Sequence, residues 1–179
     1  MKDYMVKNII IINTGLNPNS HTAILANETY KILKKKKNVK TSFIDLRKIK
    51  MEFCDGRKID KYNKEMQLLY KKLEKADAYI IGTPVYNYGV SGVCKNFLDV
   101  YSKTMKNKYY GIVHNSGGVR SWGFGVEDLM KNLGLHSNVT LVQPPVHSFK
   151  DDYNDKDEIV NKIIYEKIDE MLKALVKAC

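Results

Sequence analysis

Short apolar runs alternate with longer amphipathic stretches along this chain, and that alternation constrains its fold more than any other feature. The runs lie at 6–13 (VKNIIIIN), 39–45, 78–83, 109–115 and 139–143, and each reads as a strand. Helix-period stretches lie at 20–36, 60–75, 90–103 and 122–133, with a last one at 156–178. In that last stretch Ile159, Ile163, Ile164, Ile168, Met171, Leu172, Leu175 and Val176 keep one apolar stripe. Asp155 with Glu158 reads there as an acidic variant of the capping box. Parallel strands need long right-handed crossovers, so five strand–helix units imply an α/β, doubly wound, mainly parallel sheet.

With five strands, the flavodoxin-like order 2-1-3-4-5 is the expected arrangement, in which a ligand lies beyond the carboxyl ends of the strands at the switch point. The loops after strands 1, 3 and 4 then meet at one edge. A single domain spanning 1–179 is expected, since 179 residues with 44% hydrophobic content can bury a continuous core without staples. No apolar run approaches the ~20 residues of a bilayer span, and the start, with Asp3, lacks a signal-peptide pattern. A soluble, cytoplasmic protein with no membrane partner is expected. Cys54, Cys94 and Cys179 are far apart and form no C-x-x-C pair, so neither a disulfide framework nor a metal site is expected.

A formal charge of +10 raises nucleic acid as a partner, but all but three of the 30 basic residues are lysines. Base-edge and phosphate recognition favours the arginine fork. The densest run, Lys34 to Lys37, falls where a helix should end, and there it complements the helix dipole. No nucleic-acid partner is expected.

After the first strand comes TGLNPNSHT, 14–22. Gly15, Asn17, Pro18 and Asn19 are turn formers, Ser20 is a natural N-cap, and Ser20 and Thr22 add hydroxyls, so the loop can present N–H and O–H donors to a phosphate. An ordinary capped turn is the competing reading. Neither G-K-[ST] nor G-x-G-x-x-G is present. After the third strand, TPVYNYG at 83–89 offers a proline, two tyrosines and an asparagine, a surface suited to a flat heteroaromatic ring or to a tyrosine-lined structural turn. After the fourth, NSGGVRSWGFG at 115–125 has four glycines that let backbone approach a ligand, and Arg120 is placed to meet a phosphate or carboxylate. Trp122 and Phe124 are expected to pack against protein.

The stretch ADAYIIGTPVYNYGVSGVCKNFLD, 76–99, together with the Ser20-His21-Thr22 helix start and the Gly117-Gly118 pair, resembles the NADPH-dependent FMN reductase family of flavodoxin-like flavin, quinone and azo-dye reductases. Cys54-Asp55-Gly56-Arg57 also resembles a segment of the sulfonate-associated branch of flavin reductases. The resemblance covers nearly the whole chain. It implies that Ser20, His21 and Thr22 hold the FMN phosphate with Leu16 and Asn17 in support, that Pro84, Val85, Tyr86, Asn87 and Tyr88 flank the isoalloxazine, and that Ser116, Gly117 and Gly118 approach its other end. The first loop departs from the family pattern, reading Asn13-Thr14-Gly15-Leu16-Asn17 where Gly-Ser and then Arg are common, and Cys94 replaces Leu or Ala.

The activity implied is an oxidoreductase that passes hydride from NADPH or NADH through FMN to a small acceptor such as free flavin or a quinone. The absence of any nucleophile–base constellation agrees with a cofactor that carries the chemistry, so no catalytic side chain is assigned. His114, His136 and His147 are expected to be structural. The resemblance also implies a homodimer or tetramer, for which Phe97, Tyr101, Tyr109 and Tyr110 offer an apolar patch. The alternative is a flavodoxin-type electron carrier that does not oxidise NAD(P)H directly, although this chain is basic and lacks the T-x-T-G-x-T loop such carriers begin with.

Overall fold

The computed structural model describes residues 6–118 and 123–179. Strand β1 (Lys7–Asn13) shows why the sheet is covered on both faces: Ile9 and Ile11 point to one side, Ile10 and Ile12 to the other, and all four are wholly buried. Burying one such side chain contributes about 1.5–3 kcal/mol, so this strand alone anchors two cores. Helices α1 (His21–Lys34) and α5 (Lys162–Ala178) cover Ile9 and Ile11, through Leu25, Leu33, Ile168 and Leu172 among others. Helices α2 (Lys64–Glu74), α3 (Gly92–Tyr101) and α4 (Phe124–Leu129) cover Ile10 and Ile12, through Met66, Leu73, Phe97, Leu98 and Leu129.

The other strands are β2 (Val39–Asp45), β3 (Ala78–Tyr86), β4 (Gly89–Val90), β5 (Tyr109–Ser116), β6 (Thr140–Leu141) and β7 (Val146–Phe149). The parallel order is β2-β1-β3-β5-β6, with β7 also beside β5 and β4 beside β3. This is the expected α/β doubly wound sheet, with seven strands in place of five for two local reasons. The last expected strand, 139–143, shortens to β6, which pairs Tyr109 and Tyr110; beyond Pro144 and Pro145, which have no N–H for a ladder, an unexpected strand β7 pairs Val113 to Ser116. The third strand runs on to Tyr86 and turns back as an antiparallel hairpin, with Val85 opposite Val90 and Tyr86 opposite Gly89.

Two expectations change. The last helix starts at Lys162, where the Asn161 side chain accepts from the Ile163 N–H, and not at Lys156 behind an Asp155–Glu158 box. Residues 154–158 instead form a turn in which the Asn154 carboxamide oxygen accepts from the Lys156 and Glu158 N–H groups, and Ile159 is buried beyond it. The aromatic patch is not at the surface either: Phe97, Tyr101 and Tyr110 are wholly buried and Tyr109 is half-buried, because α3 and β5 turn these rings into the two cores. The lysine run does end α1, and Lys36 reaches across to Asp169 at 2.7 Å. No described helix is long and apolar enough to cross a membrane.

Candidate functional site

Strands β1, β3 and β5 end side by side, and the three loops singled out in the sequence leave the sheet from those ends. The first loop is tied to its neighbours by backbone and hydroxyl bonds. Thr14 donates from N and Oγ1 to the Gly82 carbonyl, at 2.8 and 2.9 Å, and Ser91, the N-cap of α3, donates back to the Thr14 carbonyl at 3.2 Å. Asn13 closes the turn on itself through Gly15, accepting from its N–H at 3.0 Å and donating to its carbonyl at 3.2 Å. Gly15 has to be glycine for close approach: a Cβ there would run into the Ser20 hydroxyl.

Ser20 caps α1, its Oγ accepting from the Ala23 N–H at 3.2 Å. That oxygen is used as an acceptor, so its proton remains available to a ligand. No acidic residue sits in the first turn of α1, which leaves the helix N-terminus attractive to an anion. Leu16 and Asn17 are exposed, Thr22 is buried, and His21 is partly covered.

Behind this loop stands an ion pair the sequence reading did not assign. Asp45, at the end of β2, takes Arg47 on both oxygens, with Nη2–Oδ2 at 2.7 Å, and accepts from Asn13 Nδ2 at 3.0 Å. Burial pushes the Asp45 carboxyl up, but the bonds from Arg47 and Asn13 outweigh it and hold the group below its ordinary range. Arg47 Nη1 also reaches the carbonyls of Asn17 and Pro18, at 3.4 and 3.3 Å, and so braces the loop from its outer side.

The second loop is the tip of the β3–β4 hairpin. Pro84 and Val85 are buried, while Tyr86 and Tyr88 are more than half exposed, as a ring-flanking surface would be. Asn87 and Tyr88 both have positive φ, 47° and 63°, the pairing a two-residue hairpin turn of this hand demands. For a tyrosine that conformation is costly. The hairpin is held down on α4: Asp128 accepts from the Val90 N–H at 3.0 Å, and Tyr88 meets Phe124 edge-on at 5.3 Å.

The third loop starts at Ser116, which is 2% exposed. Its hydroxyl donates to the Gly118 carbonyl at 3.0 Å and lies 3.1 Å from His147 Nε2, so the side chain is turned into the protein and only the backbone of Gly117 and Gly118 is presented outward. A Cβ at either glycine would meet no atom within 4 Å among the described residues. His147 meets His114 edge-to-face, with ring centroids 4.2 Å apart. Burial, with the neighbouring imidazole adding to it, pushes His114 down to about 3; burial likewise takes His147 down to about 4, with Lys167 adding and Asp152 opposing. These two histidines, expected to be separate structural residues, are register partners on adjacent strands and support the loop from below. Arg120 and Trp122 lie outside the described residues.

The donors, the glycine approach and the exposed tyrosines therefore fit a phosphate-bearing aromatic cofactor. The family model described as NADPH-dependent FMN reductase matches residues 7–153, a span that takes in all three loops. The chain belongs to that family. This FMN reductase homologue is accordingly an oxidoreductase that uses FMN and NAD(P)H. It is 29% identical over 131 residues to an NAD(P)H-dependent FAD/FMN reductase of Geobacillus thermodenitrificans, covering 73% of this chain and 70% of that one. It is 33% identical over 121 residues to an FMN-dependent NADPH-azoreductase of Staphylococcus aureus, a match spanning 65% of this chain and 63% of the azoreductase. An oxidoreductase of Corynebacterium diphtheriae shares the fold, with a TM-score of 0.79, 15% identity and coverage of 98% and 97% of the two chains.

Proposed function

We propose that the three loops form one flavin pocket in a single domain, and that this reductase delivers reducing equivalents to a small soluble acceptor, free flavin or an azo compound, in the cytoplasm. Ser20, His21 and Thr22 hold the FMN phosphate with Leu16 and Asn17 beside them. Pro84, Val85, Tyr86, Asn87 and Tyr88 flank the ring, and Ser116, Gly117 and Gly118 approach its far end. Arg120 meets a phosphate of the nicotinamide nucleotide.

Held by Ser20, His21 and Thr22, FMN would supply the two-electron redox chemistry that links nicotinamide to acceptor. The chain's own part is positioning. The phosphate is fixed at the N-terminus of α1, the exposed tyrosines of the hairpin give the ring an apolar face, and the glycines of the third loop leave room for a second ring to stack within about 3–3.5 Å. The observation that carries the reading is the Ser20 cap of a helix whose own first turn holds no acidic residue, with the loop before it locked to β3 by Thr14.

Assembly as a homodimer or tetramer belongs to the same proposal. Phe53 and Leu135 are 84% and 86% exposed, and Leu135 lines a groove of about 710 Å³ between α3 and α4 with Leu98 and Cys54. Titration of the purified protein with FMN, followed by anaerobic addition of NADPH or NADH, tests the function. Stoichiometric FMN binding and rapid loss of the flavin absorbance are expected. Tight FMN binding with no reduction by either nucleotide would move the assignment to an electron carrier.

A further inference from the structure

The turn that replaces the start of the expected last helix lies against the first loop. Tyr153, 9% exposed, stacks on the His21 imidazole with ring centroids 4.0 Å apart and planes within 4° of parallel. Its hydroxyl donates to the His21 carbonyl at 3.2 Å and meets the Ser148 hydroxyl at 2.9 Å. Ser148, wholly buried, in turn accepts from Asn115 Nδ2 at 3.0 Å, and Asn115 also donates to the Ser148 carbonyl at 3.0 Å.

The direction of this chain follows from its proton count. Tyr153 has one proton and gives it to the His21 carbonyl, so Ser148 must donate to Tyr153 and accept from Asn115. Every donor is used once, in a setting where a missing partner costs more than it would in water. The chain starts on β5, next to the third loop, and ends on the first residue of α1. From the same turn, Asp157 accepts from His21 Nε2 at 3.2 Å, and among the described residues Nδ1 takes no partner. Asp157 is held for this contact at φ 58°, by a turn in which its N–H donates to the Asn154 carbonyl at 2.9 Å.

We propose that Tyr153 is a positioning residue for cofactor binding, and Asp157 a second one. Tyr153 fixes the His21 backbone and ring, Asp157 accepts from Nε2–H, and in the imidazolium that two flanking anions favour, Nδ1–H is thereby left as the donor that meets the cofactor's phosphate. The proposal rests on the reading of the first loop as the phosphate site. It assigns to residues 153–157 a part in flavin binding from a place far along the chain from the loop they serve.

The test compares FMN with riboflavin, which lacks the phosphate. Tyr153→Phe keeps the stack and removes the hydroxyl, and it should weaken FMN binding about five- to tenfold, the worth of one buried hydrogen bond, with riboflavin affinity unchanged. Asp157→Ala should reduce the preference for FMN over riboflavin in the same way. Tyr153→Phe that binds FMN as tightly as the parent overturns the proposal, as does an equal loss for FMN and riboflavin, which marks a merely structural residue. A parent protein with no preference for FMN over riboflavin overturns the phosphate site itself, and the proposal with it. If Tyr153→Phe is poorly folded by circular dichroism, Ser148→Ala, which cuts the chain one step earlier, must show the same selective loss.

Discussion

The first and third loops reach the same edge of the sheet but are held there by different means. The first is fixed by polar side chains within or close to it: Asn13 folds on Gly15, Ser20 caps α1, and Asp45 with Arg47 braces the outer side. The third has glycines where the first has side chains, and its fixed point is Ser116, seated on half-buried His147, which packs on buried His114 across two strands. A loop rich in side chains can carry its own supports. A loop that must let another molecule close to its backbone has to be supported from beneath.

The largest expected effect separates these supports by pH. In the unfolded chain a histidine titrates near 6.5, whereas His114 and His147 are pushed down to about 3 and about 4. Below pH 6.5 the unfolded state takes up protons that the folded state refuses, so stability is level above about pH 7 and falls toward pH 4. Each histidine contributes up to about 1.4 kcal/mol per pH unit, less for the half-open His147. Thermal melts between pH 5 and 7.5 would show the slope, and His114→Asn should flatten it. A parent with no slope there would show that the pair is not buried neutral.

Next comes a pair of substitutions that should behave in opposite ways. Gly15→Ala drives a Cβ into the Ser20 hydroxyl and should cost about 2 kcal/mol and at least tenfold in FMN affinity. Gly117→Ala meets no described atom within 4 Å and should change stability by less than about 0.5 kcal/mol. Equal effects in denaturant melts would erase the contrast between the loops. Asp45→Ala removes the carboxylate partner of Arg47 and one of the two acceptors of Asn13 Nδ2, and a loss of about 2 kcal/mol is expected, with weaker FMN binding through the loosened first loop. The smallest change in stability belongs to Ser20→Asp. Aspartate caps a helix as well as serine does, so the melt should hardly move, while the added charge should weaken FMN about tenfold but leave riboflavin alone.

Much of the candidate site was legible because its signals are local. A cap such as Ser20 and a turn such as Asn87-Tyr88 are decided within about four residues, and the strand-to-helix junctions follow from the change of hydrophobic period. The same locality explains the errors. Asp155 and Glu158 have the spacing of a capping box, yet Ile159 is needed in the core and Asn161 is the better cap, so the helix starts six residues later than the pattern implied. The rings of Phe97, Tyr101 and Tyr110 read as a patch because the sequence does not say which side of α3 and β5 faces inward.

The sequence by itself determined the alternation of strands and helices, the coverage of β1 on both faces, and the composition of the three loops, since each depends on residues a few positions apart. Only the tertiary structure decided that His114 meets His147, that Asp45 and Arg47 brace the first loop, and that Tyr153 and Asp157 reach His21. Those meetings are set by strand register and by where a returning chain crosses the sheet edge. A one-residue slip of β7 against β5 would turn His147 away from His114, and no local pattern in the sequence records which register was taken.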